Sequence, residues 1–92
     1  MKPLDGKTIS ILGLGASGLA AARLALQKGG EVYVSDQRTE SSVAARGAEL
    51  RGLGARVELG GHAVDRLAQS DTLVVSPGIP PGAPVLRDLR AR

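Results

Sequence analysis

The sequence predicts an α/β domain built on a doubly wound parallel sheet, and two observations carry that prediction. Short β-rich runs and helical runs alternate four times along 92 residues. At the first strand-to-helix junction, Gly13, Gly15 and Gly18 stand in a G-x-G-x-x-G arrangement, and the next apolar run closes on Asp36. One small three-layer domain of Rossmann-like form follows, because so short a chain buries one modest core.

The elements can be justified in order. Residues 8–12 (TISIL) form a β-rich run that ends at glycine, and residues 16–28 (ASGLAAARLALQK) are rich in Ala and Leu, which favour helix. Gly29 and Gly30 stop that helix, and residues 31–35 (EVYVS) make a second strand, completing a parallel crossover unit. A second helix is expected over 41–53, with Ser41 or Ser42 as its cap and Gly47 as a weak point in its middle. Gly54 ends it. Residues 56–59 (RVEL) make a third strand, 63–69 a short helix and 72–76 (TLVVS) a fourth strand. Pro84 opens a last helix through VLRDLR, and the sheet is expected to be incomplete or to lead into another domain.

Composition narrows the function. Apolar residues at 42% and charged residues at 23% describe an ordinary globular domain. Tyr33 is the sole aromatic residue, so base stacking of the single-stranded nucleic-acid kind has no platform. The net charge of +3 comes from arginines interspersed with acids, not from a basic stripe, and nucleic acid is not an expected partner. With no cysteine, disulfides and thiol chemistry are excluded. No export signal opens the sequence and no apolar 18-mer occurs, so the expectation is a cytoplasmic protein without membrane insertion.

Each glycine of the loop has a physical task. Gly13 permits the tight turn, Gly15 lets the backbone approach a phosphate, and Gly18 permits close helix-to-strand packing. The amides of Ala16, Ser17 and Gly18 are then free donors at a helix N-terminus, where the helix dipole adds about 0.3–1 kcal/mol toward a diphosphate. Ser17 adds a hydroxyl. The competing reading is a turn required only for packing, with Asp36 a solvated strand end. Gly6-Lys7-Thr8 is not a phosphate loop, because it precedes its strand and lacks the leading glycine.

Asp36 can accept from a ribose hydroxyl pair, the usual task in a nicotinamide domain, or from the N–H of a base edge. Gln37 and Arg38 add an amide and a guanidinium at the same crevice. On these residues alone a nicotinamide dinucleotide domain of an oxidoreductase or sensor is the leading reading.

The longer segments GKTISILGLGASGLAAARLALQKGGEVYVSDQR and LGGHAVDRLAQSDTLVVSPGIPPGAPVL shift it. They resemble the amino-terminal domain of the D-glutamate-adding enzymes of the Mur ligase family, over essentially the whole chain. SPGI, residues 76–79, is the most specific piece. The resemblance implies a domain over 1–92 that binds the uridine diphosphate of UDP-N-acetylmuramoyl-L-alanine in peptidoglycan synthesis. Carried over residue by residue, it gives the diphosphate to the loop from Gly15 through Ala16 and Ser17 to Gly18. The uracil goes to Asp36 with Gln37 and Arg38, and Ser76, Pro77 and Gly78 border the same ligand. The family often has a bulkier apolar residue and Thr where this chain has Ala16 and Ser17, and Thr where it has Gln37. The resemblance also implies an ATP-binding central domain and a C-terminal amino-acid domain, with ATP and Mg2+ as the reaction's needs. Neither domain is within these residues, so the isolated chain is expected to hold substrate without ligating it, with no cofactor of its own and no catalytic or metal-binding residue.

The remaining polar residues read blandly. Pro77, Pro80, Pro81 and Pro84 can simply stiffen a turn. His62, the only histidine, reads as a loop residue and less readily as one near a ligand, because no further metal ligands converge by pattern. Asp65 and Asp71 read as surface or turn acids, and Arg87, Arg90 and Arg92 as solvent-facing or as facing a following domain.

Overall fold

A computed structural model describes all residues, Met1–Arg92. The order is β1 (Thr8–Leu12), α1 (Ala16–Gln27), β2 (Glu31–Asp36), α2 (Ser41–Gly52), β3 (Arg56–Leu59), α3 (Val64–Gln69), β4 (Thr72–Val75) and α4 (Pro84–Arg90). The four strands lie in the order β3-β2-β1-β4, and every pairing is parallel. The chain therefore runs outward from β1 to β3 and then returns to place β4 on the other side of β1. That reversal opens a crevice beyond the carboxyl ends of β1 and β4, the place where ligands settle in open α/β sheets.

Alternation along each strand divides two apolar layers. Ile9 and Ile11 of β1 and Val32 and Val34 of β2 pack with Ala22 and Ala25 of α1 and Val43 and Leu50 of α2. Leu12 and Tyr33 point to the opposite face, against Leu67 of α3 and Val85 of α4. The buried stripes of the two long helices are narrow and small, Gly18, Ala22 and Ala25 on α1 and Val43, Gly47 and Leu50 on α2, which keeps both helices close to the sheet. Gly47, an expected weak point, is a packing position. A Cβ there would stand 3.1 Å from Val57 Cγ1.

Neither serine caps α2: the cap position is Glu40, without a side-chain hydrogen bond, and Ser41 is already helical. Asp71 is more than a surface acid. Its carboxylate accepts from the Thr8 amide at 2.8 Å and its own amide donates to Thr8 Oγ1 at 3.0 Å, which locks the start of β4 to the start of β1. Asp65 pairs with Arg92.

The division between buried stripe and exposed face on α2 can be tested with one pair of leucines. Leu50 is fully buried whereas Leu53, just beyond the helix, is 55% exposed. Leu50→Ala should lower stability by about 2–5 kcal/mol, while Leu53→Ala should stay within about 0.5 kcal/mol, as read from urea unfolding.

Candidate functional site

The glycine loop takes its shape from two close approaches. Gly13 has φ +100°, and a Cβ there would lie 2.7 Å from Ser76 Cβ, so the loops after β1 and β4 touch across the crevice. A Cβ at Gly18 would lie 2.1 Å from the Gly13 carbonyl oxygen, which places the first turn of α1 directly on the end of β1. At Gly15 the same atom would meet nothing within 4 Å. The first and third glycines are thus required by packing, and the second faces open space, as approach by a ligand requires.

At the head of α1 the first backbone bond runs from the Leu19 amide to the Gly15 carbonyl at 3.0 Å, and no side chain caps the helix. The amides of Ala16, Ser17 and Gly18 find no partner in the protein. Ala16 and Ser17 are exposed. Three donors and the positive end of a 12-residue helix therefore converge on the crevice.

Asp36 closes β2 and is buried at 3% relative exposure. Its Oδ2 accepts from the Leu14 amide at 2.6 Å and from Arg38 Nη2 at 2.8 Å, and its Oδ1 accepts from the Arg38 amide at 2.8 Å and Arg38 Nε at 3.0 Å. The acid thus ties the end of β2 to the middle of the glycine loop. Burial alone would raise its pKa, but the bonds from Arg38 and Leu14 together outweigh that effect and hold the carboxyl down at about 2. Gln37 and Arg38 are exposed, so the Arg38 guanidinium is a half-exposed cover over a buried carboxylate.

The other rim comes from the loop after β4. The Ser76 amide donates to the Leu12 carbonyl at 2.8 Å, extending the β1·β4 ladder by one step, and the Ser76 carbonyl accepts from the Ile79 amide at 3.0 Å in a tight turn. Pro77 and Gly78 are exposed at its tip. All ten residues singled out from the sequence accordingly lie along the carboxyl edge of the sheet.

Sequence reasoning missed the base of the crevice. The Gly60 amide donates to the Asp36 carbonyl at 2.8 Å, and Asp36 and Gly61 form an antiparallel bridge, so the loop between β3 and α3 folds back over the end of β2. Tyr33 holds that loop: its hydroxyl donates to Glu58 Oε1 at 2.7 Å and accepts from the Ala63 amide at 2.9 Å. His62 is carried in beside them, with Nδ1 2.7 Å from Ser35 Oγ. Burial pushes the His62 pKa down, against the pull of Asp36 and Glu58, which favours the neutral ring. His62 and Gln37 line a cavity of about 560 Å³ that runs from the crevice toward α4, with Val64, Ile79, Val85 and Asp88 on its walls. The GGH run was the available signal, because two glycines let the chain reverse next to a lone histidine.

A larger cavity, about 720 Å³, opens at the amino end of the strands between Glu31, Arg56, Asp65 and Arg66. It carries charge of both signs, and the helix start on its wall is that of the six-residue α3 with Asp65 in its first turn, so the head of the 12-residue α1 at the carboxyl edge is the better candidate for an anion.

Residues 7–92 match the family model described as "Mur ligase MurD-like, N-terminal domain". The chain belongs to that family. A UDP-N-acetylmuramoylalanine--D-glutamate ligase of Chlorobium phaeobacteroides (strain BS1) is 48% identical over 85 residues, which is 92% of this chain and 18% of that protein. The enzyme of the same name from Desulfatibacillum aliphaticivorans is 43% identical over 89 residues, 97% of this chain and 20% of its own length. The chain thus spans about a fifth of the curated relatives it matches. Among solved structures, the precorrin-2 dehydrogenase SirC superposes with a TM-score of 0.63 at 18% identity over 99% of this chain and 41% of that one, a likeness of fold alone. A glyoxylate reductase from Paecilomyes thermophila gives 0.58 at 28% identity, covering 83% of this chain and 20% of its own.

Two predictions follow from the glycines and the acid. Gly18→Ala must displace backbone and should cost about 2 kcal/mol or more, whereas Gly15→Ala, a cap position in open space, should cost at most about 1 kcal/mol, both read by thermal unfolding. Because the folded Asp36 carboxyl, at about 2, lies below its ordinary value of 3.8, its contribution is full above pH 4 and fades as pH falls toward 2. With the half-exposed Arg38 discounted for solvent screening, that part is about 1–2 kcal/mol and should be missing from the acid-unfolding profile of Asp36→Asn.

Proposed function

We propose that this chain is the domain of a D-glutamate-adding peptidoglycan ligase that holds the uridine diphosphate of UDP-N-acetylmuramoyl-L-alanine along the carboxyl edge of its sheet. The observation that carries the reading is the set of unpartnered amides at Ala16–Gly18, opening on the crevice beside Asp36 in a chain of this family. The diphosphate sits on those amides, with the Ser17 hydroxyl in reach and Ser76, Pro77 and Gly78 as the opposite rim. The uracil lies at the end of β2, where its N–H replaces the Arg38 guanidinium on the Asp36 carboxylate. Arg38 swings outward, and Gln37 offers an amide to the base edge. A carboxylate accepts without donating, which suits a ring N–H.

In the whole ligase, ATP and Mg2+ belong to the central domain and D-glutamate to the C-terminal domain. Activation of the muramoyl-alanine carboxylate as an acyl phosphate, and attack by the amino acid, belong there as well. This domain's part is to fix the nucleotide end of the substrate, so that binding energy far from the reacting carboxylate orients it. Such a ligase works in the cytoplasm. Likeness to a glyoxylate reductase, with the glycine loop and Asp36, supports a second reading, a nicotinamide dinucleotide domain with Asp36 on a ribose.

Calorimetric titration separates the two. UDP-N-acetylmuramoyl-L-alanine and UDP should bind, and NAD and NADP should not; tight NAD binding without UDP binding would hand the site to the nicotinamide reading. Asp36→Asn keeps one oxygen for the Leu14 amide but loses the charge, so UDP should weaken by about 1.5–3 kcal/mol while pyrophosphate holds within twofold. The isolated chain should release no ADP above a no-protein control when given ATP, Mg2+, muramoyl substrate and D-glutamate together.

A further inference from the structure

The geometry points to Arg46 as a positioning residue for the diphosphate: by holding the Leu14 carbonyl, it keeps the Gly15 amide turned toward the ligand. This inference rests on the uridine diphosphate reading above and adds to it a residue of α2, an element which that reading leaves idle.

The starting point is the peptide between Leu14 and Gly15. Its carbonyl accepts from Arg46 Nη1 at 3.3 Å, the one partner that oxygen has in the protein. The peptide is trans, so its N–H points opposite to its C=O, away from α2. That Gly15 amide bonds to nothing in the protein, and it stands beside those of Ala16, Ser17 and Gly18 as a fourth free donor at the head of α1. Arg46 lies in the second turn of α2, and side chains on a helix lean toward its N-terminus, which for α2 is at the carboxyl edge of the sheet. The side chain is half-buried, makes no other hydrogen bond and pairs with no carboxylate. No ion pair accounts for its place.

Holding this peptide matters because residue 15 is glycine. A flip of the peptide exchanges its amide and carbonyl and carries Gly15 from a φ of −89° to about +90°, a value glycine adopts without steric cost. The flipped form would turn the Leu14 carbonyl oxygen toward the ligand, where it repels a diphosphate. The open Cα that admits a phosphate thus also frees the peptide to turn. Charged side chains from two different elements oppose this. Asp36 of β2 accepts from the Leu14 amide at 2.6 Å and fixes the peptide before Leu14, and Arg46 of α2 holds the Leu14 carbonyl and fixes the peptide after it. A flip would also set the Gly15 N–H against the Arg46 guanidinium.

The probes are pyrophosphate and UDP, titrated calorimetrically against the wild-type chain and Arg46→Met, which keeps the stem and loses the donors. Thermal unfolding confirms that the variant is folded, and Arg46→Gln, too short to reach the carbonyl, takes its place if it is not. Arg46→Met should weaken pyrophosphate and UDP alike by about 3–10-fold, the worth of one hydrogen bond. That ratio should be the same in about 0.1 M and about 1 M salt, because a Debye length of about 3 Å screens a bare charge but leaves the orientation of a peptide unchanged. In the 15N-labelled wild type, pyrophosphate should shift the Gly15 amide together with those of Ala16–Gly18, whereas in the variant Gly15 should stop following while the other three still move. An unchanged pyrophosphate affinity, a loss that disappears in the higher salt, a loss confined to UDP, or a Gly15 amide that follows pyrophosphate in the variant as in the wild type would each overturn the role of Arg46. If the wild type binds neither probe, the reading of the crevice itself falls, and this inference with it.

Discussion

Helix α1 meets the end of β1 so closely that a single methyl group at Gly18 would lie 2.1 Å from the Gly13 carbonyl oxygen. Much of the site depends on that contact. It sets the first turn of the helix over the carboxyl edge of the sheet, where the amides of Ala16–Gly18 have nothing in the protein to bond. It also requires the left-handed turn at Gly13, whose open Cα lets Ser76 close in from the neighbouring strand. The free amides at the head of α1 are thus a consequence of helix packing, and a larger residue at Gly18 would damage both together.

The Asp36 carboxylate is the second fixed point. Through Leu14 it braces the glycine loop from beneath, and through Arg38 it is covered from the solvent side. Each oxygen thus holds one backbone amide, Leu14 on Oδ2 and Arg38 on Oδ1, whereas the bonds from the Arg38 side chain can be exchanged. A strand-end acid can hold its loop and still be offered to a ligand, provided the cover leaves. The half-exposed Arg38 side chain meets that condition.

Much of the fold was legible in the sequence because its periodicities are clean. Strand ends read from β-rich runs fall within one residue of those observed, and the helix stops at Gly29 and Gly54 coincide with positive φ values that favour glycine. The placement of the ten candidate residues on one edge was legible too, since the alternation of strands and helices dictates where strand ends go. What was not legible depends on contacts distant in sequence. Ser41 and Ser42 suit a cap by type, yet the chain enters α2 one residue earlier, at Glu40. Asp71 gives no sign in sequence that Thr8 is its partner. His62 reads as a loop residue until the Tyr33 hydroxyl and the Gly61 bridge fold its loop over β2. Arg38 reads as a free cation until its pairing with Asp36 is seen. Membership of the family then carries the reading from a generic nucleotide frame toward a uridine one, because the frame itself also occurs in a dehydrogenase and a reductase.

The central claim is spatial: one ligand spans from the head of α1 to the end of β2. Amide chemical-shift mapping of the 15N-labelled chain with UDP tests it most directly. The account predicts saturable shifts at Ala16, Ser17 and Gly18 together with Gln37 and Arg38, with pyrophosphate moving the head of α1 alone. Shifts centred on Glu31, Arg56 and Arg66 at the opposite edge, or no saturable shift at the head of α1, would contradict it.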